Sequence, residues 1–187
     1  MNDELLTGKL VKLVAVNPEK DADRFARWAS DSEYSRLLDT DPARLWSIQK
    51  SKEWLEKDQE QDSREDILFM IRNREDDHTI GFIGLDGIRW NHGDAYVGIG
   101  IGEREFRGQG YGTDAMRVLL KYAFTELNLH RVSLNVFAYN PIAIRSYEKT
   151  GFVIEGRQRE YLRREGKRWD MVFMGILKDD WIRIQSA

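Results

Sequence analysis

Apolar and polar positions along the chain follow the two spacings that distinguish strands from helices. Short runs with alternating apolar residues, or with a continuous apolar stretch bounded by turn residues, predict a sheet of about seven strands. These runs cover residues 9–16, 66–71, 79–85, 95–101, 132–137, 153–162 and 169–177. The last two runs are predicted to form a closing hairpin.

Capping residues and helical spacing predict two helical regions near the N-terminus. Asn17 is suited to cap the first helix, with Pro18 at its first position. The second helical region is predicted at about residues 47–61. The segment 34–46 between them is predicted to be less regular.

A long amphipathic helix is predicted after residue 113, with apolar residues at helical spacing through Leu127. It connects the strand at 95–101 to the strand at 132–137. A strand-helix-strand crossover requires the two strands to be parallel neighbours. The chain is therefore predicted to adopt an α/β fold, with a mixed sheet and helices on both faces.

A glycine-rich turn separates the strand at 95–101 from this helix. It consists of Phe106, Arg107, Gly108, Gln109, Gly110, Tyr111, Gly112 and Thr113. Glycines at alternate positions let the backbone approach a ligand closely and adopt positive φ at little cost. The following helix adds unpaired N–H groups and its positive dipole end, so the turn is suited to a phosphate or pyrophosphate. Arg107 is expected to add a charged donor.

Two common phosphate-binding motifs do not fit this turn. A nucleoside-triphosphate loop requires Gly-Lys-Ser/Thr, whereas Gly112 is followed by Thr113 and Asp114. A dinucleotide fingerprint requires Gly-x-Gly-x-x-Gly, and Thr113 occupies the position of its last glycine. The pattern present is Arg-x-x-Gly-x-Gly. Tight packing of strand against helix is the alternative to ligand binding.

A second motif begins at Asn140 and runs to Phe152. Its residues are Asn140, Pro141, Ile142, Ala143, Ile144, Arg145, Ser146, Tyr147, Glu148, Lys149, Thr150, Gly151 and Phe152. Asn140 is suited to cap a short helix that ends at Gly151. Ile144 and Tyr147 share one face of that helix.

The two motifs, in this order, resemble those of the GCN5-related N-acetyltransferase (GNAT) family. The chain looks most like the branch that holds ribosomal-protein N-terminal acetyltransferases and spermidine acetyltransferases. The resemblance covers nearly the whole chain, and it implies one domain over residues 1–187 with acetyl-CoA as co-substrate. Dimers are common in this family, so a homodimer is a further expectation.

The same resemblance implies where acetyl-CoA binds. Its pyrophosphate is expected on the turn that contains Arg107, Gly108, Gln109, Gly110, Tyr111, Gly112 and Thr113. Its pantetheine arm is expected along Ile99 and Ile101, in a wedge where the strand at 95–101 separates from the strand at 132–137. The N-terminal helices are expected over the acceptor end. Candidates to line an acceptor pocket, with core packing as the alternative, are Trp28, Tyr34, Leu38 and Trp46.

Acetyl transfer by direct attack of an amine needs no covalent intermediate, in agreement with the absence of cysteine. By resemblance, Tyr147 is the general acid for the leaving sulfur, because a phenol with a pKa near ~10 is protonated at neutral pH. The alternative is that Tyr147 only packs on its helix. Asn140 is expected to contact the pantetheine or to cap its helix. A backbone N–H near Ile99 is expected to bind the thioester oxygen.

The general base is left open by the sequence. Many relatives carry an acidic residue at the position aligned with Tyr96, and this chain departs from that pattern. Asp94, Glu103 and His92 are candidates, each with a solvated loop position as the alternative. Amines of low pKa, such as protein N-termini near ~8, need little help in losing a proton. No spacing typical of metal ligands is found, so no metal is expected.

Composition narrows the class of protein. The chain of 187 residues has a net charge of -3, without the basic excess typical of nucleic-acid or membrane-surface binding. Arginines crowd the predicted closing hairpin at 157, 159, 163, 164 and 168, but interleaved acidic residues favour a solvated hairpin. No apolar run approaches the ~20 residues of a membrane span, and residues 1–4 do not resemble a signal peptide, so a cytoplasmic protein is expected.

The sequence therefore predicts an N-acetyltransferase that uses acetyl-CoA to acetylate a primary amine. The acceptor is left open among a protein N-terminus, a polyamine and a small amine. The alternative, from another functional class, is a non-catalytic module with the same fold that binds or senses acyl-CoA.

Overall fold

The computed structural model describes residues 5–60 and 65–186. Its strands are β1 (Val11–Ala15), β2 (Ile67–Asn73), β3 (Thr79–Arg89), β4 (Asp94–Ile101), β5 (Arg131–Phe137), β6 (Val153–Arg164) and β7 (Lys167–Leu177). Its helices are α1 (Pro18–Ser30), α2 (Ser32–Leu38), α3 (Ile48–Glu60), α4 (Tyr111–Thr125), α5 (Pro141–Glu148) and α6 (Lys178–Gln185). Within the described residues, no helix is both long and apolar enough to cross a membrane.

The strands form one mixed sheet in the order β1-β2-β3-β4-β5-β7-β6. Strands β1 to β4 pair as an antiparallel meander, and β5, β7 and β6 also pair antiparallel. The parallel pair is β4 with β5, on either side of the α4 crossover. The predicted mixed seven-stranded sheet is confirmed.

Helices cover both faces of the sheet. On one face, Met116, Leu119 and Phe124 of α4 are fully buried in the main core, which α5 and α6 extend. On the other face, a smaller cluster joins Trp28 of α1 and Leu55 of α3 to Met70 of β2. The two helix layers therefore enclose the sheet as the α/β prediction required.

Most element boundaries match the sequence pattern, and two elements do not. Helix α2 overlaps the start of the segment 34–46, which was predicted to be less regular, and α6 was not predicted. Asp31 caps α2 by accepting hydrogen bonds from the N–H groups of Glu33 and Tyr34 at 3.1 and 3.3 Å. Helix α2 forms one side of the candidate active site, so it matters for function although the sequence pattern did not predict it.

Candidate active site

Strands β4 and β5 pair only at their first residues and then separate. Asp94, Ala95 and Tyr96 pair with Arg131, Val132 and Ser133. Farther along, residues 97–101 of β4 remain paired with β3, and residues 134–137 of β5 remain paired with β7. A wedge therefore opens between β4 and β5, with Tyr96 at its apex and with Ile99 and Ile101 on the separated length. Backbone groups that face such a wedge are available to an extended ligand.

The glycine turn lies beside this separated length of β4. Gly108 and Gly110 have φ values of 73° and 93°, which a residue with a Cβ adopts only with strain. A Cβ added at Gly112 would contact Ile101 and Ile99 at 3.6 and 3.8 Å, so the start of α4 lies directly against β4.

The first N–H groups of α4 have no helical partner. Asp114 is the first residue of α4 whose backbone N–H donates, to the carbonyl of Gly110 at 2.9 Å. The N–H groups of Tyr111, Gly112 and Thr113 precede that bond, at the positive end of the helix dipole. The Asp114 carboxylate holds this helix end in place by accepting from the N–H groups of Leu10 and Val11 at 2.7 and 3.1 Å. The arrangement is suited to an anion beside the wedge.

The Arg107 guanidinium contacts both β4 and α2. Its guanidinium donates to the carbonyls of Ile101 and Gly102, at 2.9 and 2.6 Å, and to the carboxylate of Asp31 at 3.0 Å. It also lies over the ring of Tyr34, with 5.3 Å from Cζ to the ring centroid. These donors hold the end of β4 to α2, and the expectation that this guanidinium binds a phosphate stays a prediction. The side chain of Gln109 donates to the carbonyl of Glu105 within the turn.

The second motif is joined to the first. Asn140 caps α5 by accepting from the N–H of Ala143 at 3.1 Å, which is one of the two roles expected for it. The hydroxyls of Thr113 on α4 and Ser146 on α5 are 2.7 Å apart. Tyr147 packs against the same core as Ile99 and Ile101, and burial raises the pKa of its phenol to about 12.

On the opposite face, glycines leave room beside β4. Gly98, Gly100 and Gly102 alternate with residues that point into the main core. A Cβ at Gly102 would overlap the indole of Trp28, and a Cβ at Gly100 would lie 2.5 Å from the Tyr34 hydroxyl. Among the residues that the structure describes, nothing lies within 4 Å of a Cβ at Gly98. The glycine row is therefore covered by α1 and α2 at one end and open at the other.

A cavity of about 310 Å³ lies beside this row. It is lined by Phe25, Ala29, Tyr34, Ser35, Leu38, Asp39, Asp41, Pro42, Ala43, Arg44, Trp46, Lys50 and Phe82. Three of the predicted pocket residues, Tyr34, Leu38 and Trp46, therefore line it. Trp28 does not, because it is 3% exposed and donates from Nε1 to Glu103 at 3.1 Å.

Tyr34 has an unusual hydroxyl. The side chain is 8% exposed, and its hydroxyl oxygen is buried without a hydrogen-bond partner in the described part of the chain. Burial raises the pKa of the phenol, so it is neutral at physiological pH. A buried polar group without a partner costs free energy of folding, so a contact with a ligand is one explanation for its presence.

Asp31 connects the glycine turn to α2. Its carboxylate accepts from Arg104 at 2.8 and 2.9 Å and from Arg107 at 3.0 Å. The hydrogen bonds from Arg104, the capping bond from the Tyr34 N–H and the contact with Arg107 hold the pKa of Asp31 well below its usual range. Sequence reasoning missed Asp31, because these arginine partners lie more than 70 positions away.

The structure does not bring the candidate bases into the wedge. Asp94 forms a two-bond ion pair with Arg89 at the start of β4, which lowers its pKa. Glu103 lies past the end of β4 and accepts from Trp28, and His92 is exposed in the turn before β4. Among the described residues there is no cluster that could hold a metal ion.

Comparison with known proteins places these features in context. Residues 11–153 match the family model described as an acetyltransferase (GNAT) domain. The chain is 36% identical to the spermidine N(1)-acetyltransferase of Vibrio cholerae over 105 residues, 56% of this chain and 60% of that protein. It is 27% identical to the uncharacterized N-acetyltransferase p20 of Bacillus licheniformis, over 87% of this chain and 90% of that protein.

A solved structure shows the same architecture. The spermidine N-acetyltransferase of Vibrio cholerae, crystallised in complex with CoA and spermine, matches with a TM-score of 0.82 and 25% identity. The match covers 92% of this chain and 98% of that chain.

Proposed function

The chain belongs to the GNAT acetyltransferase family, and on that premise we propose which of its residues carry out acetyl transfer. It is an N-acetyltransferase that uses acetyl-CoA as co-substrate and acts on amines. The predicted fold, co-substrate and reaction type are confirmed by the family match and by the named relatives. The alternative of a non-catalytic module is disfavoured because those relatives are N-acetyltransferases.

Acetyl-CoA supplies an activated thioester, and the residues around the wedge are suited to hold it. We assign its pyrophosphate to the backbone N–H groups of the turn from Gly108 to Thr113. The observation that carries this assignment is that the unpaired start of α4 lies against β4 where β4 has separated from β5. The pantetheine arm is assigned to the backbone of that separated length, at Ile99 and Ile101. Arg107 supports the turn through its contacts with Ile101, Gly102 and Asp31.

In the chemical step, the amine lone pair attacks the thioester carbonyl, a C–N bond forms and the C–S bond breaks. Tyr147 is proposed to donate its phenolic proton to the leaving sulfur, and the proton released by the amine restores the phenol through solvent. Its raised pKa keeps the proton in place across the physiological range. A backbone N–H near Ile99 is proposed to stabilise the developing negative charge on the carbonyl oxygen. Asn140 fixes the start of the helix that carries Tyr147.

The acceptor is proposed to enter through the cavity beside Tyr34. The aromatic residues Phe25, Trp46 and Phe82 and the acidic residues Asp39 and Asp41 in its lining favour an aliphatic chain that carries cationic groups. A polyamine has that character, and the similarity to spermidine acetyltransferases supports it. Glu33, an acidic residue of α2, does not line the cavity and instead lies 3.6 Å from Arg104.

A peptide N-terminus is the second candidate acceptor. Arg44 and Lys50 line the same cavity, with Lys50 Nζ 4.8 Å from the centroid of the Trp46 ring. These cations would repel a polyamine and attract the carboxylates of an acidic peptide. A panel that contains spermidine, small amines and short peptides with acidic or basic second residues separates the two candidates.

The test of the catalytic assignment is thiol release from acetyl-CoA with the best amine of that panel, for wild type and Tyr147→Phe. We expect kcat to fall about 100-fold in the variant, with acetyl-CoA affinity within about twofold, because only the proton donor is removed. An unchanged kcat would overturn the role of Tyr147. Binding of acetyl-CoA without turnover of any amine would instead favour the sensor alternative.

Three broader expectations remain proposals. One domain over residues 1–187 is supported by a single sheet that runs from β1 to β7. A cytoplasmic location is supported only by the absence of cysteine, since disulfides are typical of exported proteins. A homodimer is supported by the resemblance to the family alone, and sedimentation of the purified protein would test it.

A further inference from the structure

Arg164, the last residue of β6, reaches across the site to the end of α2. Its Nη2 donates to the carbonyl of Asp39 at 2.9 Å and lies 3.3 and 3.4 Å from the carbonyls of Thr40 and Asp41. Its Nη1 donates to the carbonyl of Arg36 and to the hydroxyl of Tyr139, the latter at 2.9 Å. One side chain therefore binds the carbonyls at the end of a helix more than 120 positions away in the sequence.

The chemistry of this contact favours arginine in particular. Helix α2 ends at Leu38, and the last carbonyls of a helix have no intrahelical partner and carry the negative end of its dipole. A guanidinium is planar and has five N–H donors, so it can bind several carbonyls at once, whereas an ammonium is a compact point charge. A lysine at this position would keep the charge but could not bind the same carbonyls with one planar group.

Aromatic residues fix the position of the guanidinium. Its Cζ lies 5.6 and 5.9 Å from the ring centroids of Phe137 and Tyr139, which stack on each other at 5.1 Å. The Tyr139 hydroxyl donates to the same Arg36 carbonyl at 2.6 Å. An ion pair between Arg36 and Glu165, at 2.7 Å, adds a second connection between α2 and the hairpin of β6 and β7.

The segment that Arg164 holds is a wall of the cavity assigned to the acceptor. Ser35, Leu38, Asp39 and Asp41 line that cavity, and the carbonyls of Asp39 and Asp41 face Arg164. No contact in the described residues joins the Arg164 guanidinium to the glycine turn or to α4. A change at residue 164 therefore moves the acceptor wall and leaves the acetyl-CoA side in place.

We propose that Arg164 is a positioning residue for the amine acceptor: by holding the end of α2 and residues 39–41, it sets the shape of the acceptor cavity. The proposal rests on the assignment of that cavity to the acceptor. It predicts that acceptor specificity depends on a residue of the closing hairpin that does not line the cavity.

The experiment compares Arg164→Met, Arg164→Lys and a matched control, Arg163→Met, an exposed neighbour on the same strand. The readout is the KM for spermidine, or for the best amine if spermidine is not turned over, together with the KM for acetyl-CoA and kcat. For Arg164→Met we expect the amine KM to rise about 10-fold or more, since several hydrogen bonds to a charged donor are lost. The acetyl-CoA KM is expected within about twofold and kcat within about threefold. Arg164→Lys should give an intermediate amine KM, and the control should match wild type.

Two results would overturn the proposal. One is an amine KM unchanged in Arg164→Met. The other is an equal increase in the KM for the amine and the KM for acetyl-CoA, which a purely structural role would give. If Arg164→Met does not fold, Tyr139→Phe provides the second variant, because it removes one partner of the guanidinium and leaves the charge in place.

A cavity variant distinguishes failure of the proposal from failure of the acceptor assignment. Trp46→Ala removes a ring that lines the cavity and has no contact with Arg164 in the described part of the chain. If Trp46→Ala raises the amine KM and Arg164→Met does not, the role of Arg164 is wrong and the cavity assignment stands. If neither variant changes the amine KM, the cavity assignment fails and the proposal fails with it.

Discussion

The side of this site that we assign to acetyl-CoA and the side that we assign to the acceptor are built in different ways. The acetyl-CoA side is formed by β4, the glycine turn, α4, β5 and α5, which follow one another between residues 94 and 148. The acceptor side combines α1, α2 and the segment 39–46 with β3 and, through Arg164, with the hairpin of β6 and β7. One half uses backbone groups of a contiguous segment, and the other uses side chains from distant segments. Sequence motifs therefore predict the acetyl-CoA side well and the acceptor side poorly.

Asp31 is where the two halves meet. Its carboxylate caps α2 on the acceptor side and also binds Arg104 and Arg107 on the acetyl-CoA side. Arg107 continues the connection, because it holds the end of β4 and lies over Tyr34. The difference between the halves can be tested by changes confined to one half and by changes at this junction.

The largest effect confined to the acetyl-CoA half is expected from Gly110→Ala. A Cβ at φ 93° strains residue 110, which precedes α4, by about 1–3 kcal/mol. We expect this strain to turn the first N–H groups of α4 away from the site assigned to the pyrophosphate. We expect the acetyl-CoA KM to rise about 10- to 100-fold, with the amine KM little changed, in steady-state assays.

The matched control for that change is Gly166→Ala. Gly166 also has positive φ, 74°, but it lies in the turn between β6 and β7, with nothing near its Cβ position. The strain should therefore be similar, while the acetyl-CoA KM should not change. If both alanine variants raise that KM equally, loss of stability explains the effect and the role assigned to the glycine turn is wrong.

The difference between the two halves also explains which features could be predicted from the sequence. Strands β1 to β5, the glycine turn and the Asn140 cap of α5 depend on local signals, namely alternation, positive φ at glycine and a capping side chain. Each of these signals is complete within about ten residues, so it is visible without the fold. The chain order then placed the two motifs together across the α4 crossover.

The features that were not predicted depend on contacts between residues that lie far apart in the sequence. Helix α2 is short and has few apolar residues, and Asp31, Arg104 and Arg107 stabilise it from outside. The contacts of the Arg107 guanidinium with Ile101, Gly102 and Asp31 were not predicted, because the motif shows the position of this arginine but not its acceptors. Arg164 was one of five hairpin arginines, and only the fold shows that it contacts α2.

A smaller effect, on both halves together, is expected from Asp31→Asn. Asparagine keeps the cap but loses the charge, so the free energy of unfolding at pH 7 should fall by about 1–2 kcal/mol in urea denaturation. Both KM values should rise several-fold, since Arg107 loses its carboxylate partner. Glu33→Gln is the control, because Glu33 is exposed and lies 3.6 and 4.0 Å from the same arginines. A change in only one of the two KM values would contradict the role of Asp31 as the connection between the two halves.

The effect of Asp31 on stability should also depend on pH. The pKa of this carboxyl is lowered in the folded protein, so its contribution is fully present above the unfolded pKa of about 4. The contribution is lost as pH falls below that value toward the folded pKa. The difference between wild type and Asp31→Asn should therefore be smaller at pH 3 than at pH 7, and a difference that grows at low pH would contradict this origin.

The smallest effect, confined to the acceptor half, is expected from Tyr34→Phe. The change removes a buried hydroxyl that has no partner in the described residues, so the melting temperature should stay equal or rise slightly. The hydroxyl oxygen is buried in this structure, so an amine N–H can reach it only when its surroundings move. If the neutral phenol then accepts from the amine, the amine KM should rise about three- to tenfold in the variant, with acetyl-CoA KM unchanged. Tyr139→Phe gives the contrast, since its hydroxyl has two partners and its loss should lower the melting temperature. If Tyr34→Phe lowers the melting temperature and leaves the amine KM unchanged, Tyr34 only supports the fold, and the acceptor half begins farther along the glycine row, at Gly98.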